Sequence, residues 1–151
     1  MTGKHWYQDG WWVLFLVVVG GFFGYGIYTQ AVERAKPLIT LSVAGQLQQP
    51  FFGSPSLEIT VWHQYPAALR NVRLFVSINE DPARRREHWV NRQHSFEAWS
   101  PNRDQAMKFS LPLKQYDPQR EIAVSAILFG KSIKMSKQEG VWLGSDWKPK
   151  P

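Results

Sequence analysis

The chain has 151 residues and a formal net charge of +6, with no cysteine among them. That length allows one ordinary globular domain, and the missing cysteines exclude disulfides, thiolate metal sites and cysteine nucleophiles together. The basic balance favours anionic neighbours such as lipid headgroups, nucleic acid or an acidic protein face, without choosing among them.

Apolar residues crowd before Pro37. From Trp11 to Thr29 the sequence reads WWVLFLVVVGGFFGYGIYT, nineteen residues without a charge. As a helix this run rises roughly 28 Å, close to the hydrocarbon thickness of a bilayer. Trp6, Tyr7, Trp11 and Trp12 gather at one end and Tyr25 and Tyr28 toward the other, as rings do at the two headgroup levels. A buried core helix would keep a polar face, and this one has none. A cleaved signal peptide is the other alternative, with Thr29-Gln30-Ala31 as a candidate processing site, but signal peptides carry shorter apolar runs. The expected organisation is a leader over 1–10, a transmembrane helix over 11–30, a juxtamembrane linker over 31–36, a β-domain over 37–145 and a loose tail over 146–151. Gly20 and Gly24 form a GxxxG spacing that puts both on one helix face, where a second helix or a second copy of the chain could approach closely. The charges flanking the helix nearly balance, so orientation rests on the short leader, which predicts an N-terminus inside and a domain outside.

Trp6-Tyr7 followed by Trp11-Trp12 and a single crossing resembles the opening of FixH-type proteins, membrane accessory factors in cytochrome oxidase assembly with an extracytoplasmic β-domain. The resemblance covers about the first thirty residues and implies a role beside a larger membrane complex. The paired tyrosines that follow the helix in that family are missing, and His63-Gln64-Tyr65-Pro66 stands in place of its His-Pro, so no site residue is carried over.

Beyond Pro37 the period becomes two. Ile39, Leu41 and Val43 alternate with polar or small residues, as in a half-buried strand. Phe51 and Phe52 then fall in a loop marked by Pro50, Gly53 and Pro55, placed either to cap the core or to touch the bilayer. Leu57–Trp62 and Val72–Ile78 alternate again and are expected to pair as neighbouring antiparallel strands facing one core. Further strands are predicted over Gln93–Trp99, Met107–Leu113, Glu121–Leu128 and Ser132–Met135, with Gly130-Lys131 as a tight hairpin turn and Val141–Leu143 closing the set. Seven or eight short strands after one helix make the predicted class membrane-anchored all-β, with an immunoglobulin- or fibronectin-like antiparallel β-sandwich.

The segment Asn79–Gln105 breaks the pattern by its length and its arginines. Asp81-Pro82 suits a helix start, and a short helix is predicted through Arg84–Trp89. Arg84, Arg85, Arg86, Arg92 and Arg103, interleaved with Trp89, Phe96 and Trp99, form the candidate interaction surface, because guanidinium groups bind carboxylate or phosphate bidentately and stack on rings. The plainer account of such a charge run is a solvated face, and Trp99 reads equally as a core plug. Nucleic acid is not favoured as the partner. His5, His63, His88 and His94 match no metal-ligand spacing and are expected in exposed loops. No nucleophile elbow, P-loop or dinucleotide fingerprint occurs, and the carboxylates are scattered, so no reaction and no cofactor is expected. The leading expectation is a non-enzymatic, single-pass protein that presents Asn79–Gln105 to a protein or anionic surface. The alternatives are an accessory or assembly subunit held by its helix and a small membrane-bound enzyme.

Overall fold

A computed structural model describes residues 10–81, 89–101 and 103–150. The chain divides into two units, Met1–Lys36 and Pro37–Pro151. In the first, a single helix, α1 (Gly10–Ala35), buries none of its residues and is long and apolar enough to cross a membrane. Its last turn carries Arg34, which complements the helix dipole, and Lys36 reaches back to the Glu33 carboxylate. Pro37 biases the residue before it away from helical backbone, which ends the element. The helix thus continues through most of the segment expected to be a linker, since Val32, Glu33, Arg34 and Ala35 offer no breaker. The leader, with Trp6 and Tyr7, lies outside the described residues.

The second unit is an antiparallel β-sandwich. Its strands in chain order are β1 (Leu41–Gln48), β2 (Ser56–His63), β3 (Leu69–Asn79), β4 (Trp89–Trp99), β5 (Met107–Pro112), β6 (Ile122–Gly130), β7 (Ser136–Leu143) and β8 (Asp146–Pro149). They form a three-stranded sheet of order β1-β2-β5 and a five-stranded sheet of order β4-β3-β6-β7-β8. Alternation dictates the layers: Leu57, Ile59 and Val61 of β2 and Val72, Leu74, Val76 and Ile78 of β3 are fully buried, with their polar neighbours pointing outward. Phe109 and Leu111 of β5, Val124, Ala126 and Leu128 of β6 and Trp142 of β7 complete the core between the sheets. Trp142 fits because β1 carries Gly45 beneath it; a Cβ there would stand 2.6 Å from the indole.

Several expectations are corrected. β2 and β3 face one core but do not pair: they belong to opposite sheets, and the five residues 64–68 carry the chain from one to the other. Ser132–Met135 is not a strand. The β6–β7 connection occupies it, longer than the tight Gly130-Lys131 hairpin expected, and the last β6–β7 pair is Leu128 with Ser136. Within this connection Lys134 donates its N–H to the Pro37 carbonyl at 3.0 Å, while the Ser136 hydroxyl accepts the Ile39 N–H at 3.0 Å. The start of β1 is thereby tied to β7.

The tail is not loose. Trp147 pairs with Trp142 and Lys148 with Val141, making β8 the outer strand of the larger sheet. Gly144, at φ 63°, and Ser145 supply the two-residue turn, a hairpin signal of glycine followed by serine. The Gly144 carbonyl accepts hydrogen bonds from the Trp142 indole at 3.0 Å and the Tyr116 hydroxyl at 3.1 Å. β4 begins at Trp89, four residues before the predicted start. The helix predicted over Arg84–Trp89 lies outside the described residues from 84 to 88, and Trp89 is in strand.

The hairpins sort the loops by end. Pro37, the β2–β3 connection, the turn after Trp99 and the β6–β7 connection share one end. The β1–β2 loop, the close of β3, the start of β4, the β5–β6 connection and the β7–β8 turn share the far end.

Candidate interaction surface

β4 accounts for most of the described residues of the segment expected to meet a partner. It pairs with β3 along one side, Asn79 with Trp89 through Leu69 with Trp99, and it is the outer strand of its sheet. Among the described residues nothing pairs with its other side, so eleven residues present a free backbone edge, roughly 33 Å long at strand rise.

Register fixes which way its side chains point. Val90, Arg92, His94 and Phe96 stand opposite Ile78, Val76, Leu74 and Val72, and residues directly opposite in an antiparallel pair project to the same face. These four are on the core side of the sheet, yet Arg92 and His94 are exposed and Val90 and Phe96 only partly buried. The smaller sheet stops short of covering them, leaving an open seam beside β4. An aromatic ladder runs down this seam into the core: His94 meets Phe96 edge-on at 4.6 Å, Phe96 stacks on Trp99 at 4.6 Å with planes 7° apart, and Trp99 meets His63 edge-on at 4.8 Å.

The ladder corrects the expectation for His63. It is fully buried, at the end of β2, with Nε2 3.0 Å from the Trp99 carbonyl oxygen. Its Nδ1 is buried with no partner among the described residues. The sequence held the signal, because His63 continues the buried parity of Leu57, Ile59 and Val61. Trp99 is the core plug; its indole N–H donates to the Gln105 carbonyl at 3.2 Å.

Of the expected arginines, the two among the described residues, Arg92 and Arg103, are not gathered in one place. Arg92 lies midway along the seam and donates to the neighbouring Asn91 carbonyl at 3.2 Å. Trp89 lies three positions earlier, at the far end and on the opposite face of the strand. Arg103 lies beyond Trp99 in a 3₁₀ turn (Arg103–Gln105), its guanidinium carbon 5.2 Å from the centre of the Trp62 ring on the outer face of the smaller sheet. From Arg92 to Trp99 alone is about 23 Å of strand. Arg84, Arg85 and Arg86 lie outside the described residues.

Beside Arg103, the outer face of the smaller sheet is a shallow hollow lined by Ala44, Thr60, Trp62 and Lys108, where Lys108 reaches Glu58 at 3.4 Å. A second cleft, of about 770 Å³, opens near the Pro37 end between Arg73, Phe96, Glu97, Phe129, Lys131 and Met135 and includes none of the expected arginines. Among the described residues no three of His, Cys, Asp and Glu come together as a metal site would require. On α1, a Cβ added at Gly20 or Gly24, as at Gly10, Gly21 and Gly26, meets nothing within 4 Å among the described residues.

Compared with family models and with curated proteins, the sequence matches none.

Proposed function

We propose that the protein is a non-enzymatic, single-pass membrane protein, with its N-terminus cytoplasmic and its sandwich extracytoplasmic, that presents the β4 seam to a protein partner. The observation that carries this reading is the exposure of Arg92 and His94 on the core side of an eleven-residue strand whose outer edge pairs with none of the described residues. Such an edge accepts an added strand by main-chain hydrogen bonds, and the cationic Arg92 selects an acidic one. Inward-pointing charges also guard free edges against aggregation, and a guard needs no partner. The strand order supports a fibronectin-like sandwich: β1-β2-β5 faces β3-β6-β7, and the fourth strand lies beside the third. The ionisable residues of the cleft near Pro37, Arg73, Glu97 and Lys131, include a single carboxylate, which favours binding over acid–base chemistry.

The second reading is an accessory subunit of a larger membrane complex, in keeping with the FixH-type resemblance of the first thirty residues. It is favoured by the GxxxG spacing of Gly20 and Gly24, where backbones of two helices can approach.

One purification separates the two. The intact protein is extracted from its native membrane in detergent alongside an Arg92→Glu/His94→Glu variant and a Gly20→Leu/Gly24→Leu variant. The seam reading expects the charge variant to lose its partner at least tenfold with unchanged stability and the glycine variant to keep it. The opposite pattern establishes the accessory subunit.

A further inference from the structure

We propose that Phe51 and Phe52 form a two-ring finger that inserts into an apolar pocket of a protein partner, at a contact separate from the β4 seam. Their exposures are 100% and 92%, in a domain whose strands bury most of their aliphatic side chains. Neither ring caps the core. Together two phenylalanine rings offer roughly 300–500 Å² of apolar surface, the size of the largest patch on an ordinary monomer, and such patches mark contact sites.

The loop is built to hold them outward. It spans the seven residues between Gln48 and Ser56, the last β1–β2 pair. Pro50 and Pro55 restrict the backbone on either side of the rings, and Gly53 follows them at φ 116°, which a residue with a side chain rarely adopts. The Pro55 carbonyl accepts the Leu113 N–H at 2.9 Å, fastening the loop base to the end of β5. Nearby, the Glu80 carboxylate accepts the Lys114 and Gln115 N–H groups at 2.7 and 3.0 Å, so the strand ends beside the loop are clamped as well. Ordering such a loop costs little on binding, which is what a pre-organised anchor requires.

Chemistry selects a protein over a bilayer. A loop that docks on anionic lipid pairs its apolar tip with lysine or arginine, and Gln48–Ser56 contains neither; its polar residues are glutamine and serine. Two aromatic rings in an uncharged loop have the composition of an interface centre.

Site-specific photocrosslinking of the full chain in its native membrane tests this, with benzoylphenylalanine replacing Phe51, Phe52 or, as a control, the exposed Ser110 on β5. The expected result is one protein adduct of discrete mass from positions 51 and 52, absent from 110 and reduced at least tenfold when the other phenylalanine is serine. Its crosslinked peptide should be apolar. Adducts with lipid, adducts with a second copy, a charged partner peptide or no adduct overturn the proposal. A Phe51→Ser/Phe52→Ser variant should melt with the parent protein; a large fall in Tm would make the rings part of the fold and overturn it equally. Because these residues lie outside β4, the Arg92→Glu/His94→Glu variant should crosslink normally from position 51 even if the seam has no partner.

Discussion

Single residues divide here into those that hold the sandwich and those that face outward from it, and burial separates them. Trp99 closes the seam between the sheets, stacked on Phe96 and bonded through its indole to Gln105. Replacing it with alanine removes a buried ring, takes the edge-on ring contact from His63 and the indole donor from the Gln105 carbonyl, and leaves a cavity that the paired strands cannot collapse to fill. The expected loss is about 3–5 kcal/mol, the usual cost of deleting a core aromatic, read as a fall in the urea midpoint of the soluble domain. Arg92→Ala, by contrast, removes an exposed side chain whose hydrogen bond is to its own neighbour, and stability should hold to within about 0.5 kcal/mol. Trp99 was legible as a plug from Phe96-Glu97-Ala98-Trp99. His63 was legible only in part: its parity within β2 marks it as buried, but a histidine next to Gln64 and Tyr65-Pro66 also reads as the start of a loop. What decided it was Trp99, thirty-six positions away, whose carbonyl its ring meets.

Elements fit together here where glycine makes room. Gly140 of β7 lies under Trp147 of β8, and a Cβ at that position would stand 2.6 Å from the Lys148 carbonyl. Gly140→Val should therefore unseat β8 while the rest of the sheet survives. Hydrogen exchange should show lost protection at Trp147 and Lys148 and retained protection at Val124 and Ala126 of β6; equal protection at β8 in the variant would refute the packing account. β8 was missed in the sequence because its four residues include Pro149 and the charged Asp146 and Lys148, a composition shared by loose tails and by protected edge strands. The Gly144-Ser145 turn was the available signal. β4 was shortened for a related reason: with both faces partly wet, Asn91 and Arg92 show no hydrophobic alternation, and only the pairing with β3 reveals the strand.

At the scale of the whole molecule, the division at Lys36 and Pro37 predicts that each unit stands alone. A fragment beginning at Pro37 should express as a soluble monomer and unfold in one cooperative step, because the core lies wholly within it. A fragment that aggregates or melts without a transition would show that the helix is needed for folding. The chain's lack of cysteine makes topology directly measurable: a single Ser110→Cys substitution, exposed on β5, should react with a membrane-impermeant maleimide added to intact cells. Labelling only after lysis would reverse the proposed orientation.

The sequence by itself determined the apolar helix, since nineteen uncharged residues are long and apolar enough to cross a membrane, but it placed the helix end at residue 30, where the structure carries it to Ala35, just before Pro37. It also determined the β class and most core positions, because period-two burial is written locally in Leu57–Val61 and Val72–Ile78. Which strands pair was decided only by tertiary structure. Alternation says which face of β2 and β3 is buried, but the same buried face is satisfied by a neighbour in one sheet or by a partner across the core. Arg92 and Arg103, the two expected arginines among the described residues, lie apart because a strand of eleven residues carries its two ends some thirty ångströms apart, so nearness along β4 does not make one surface.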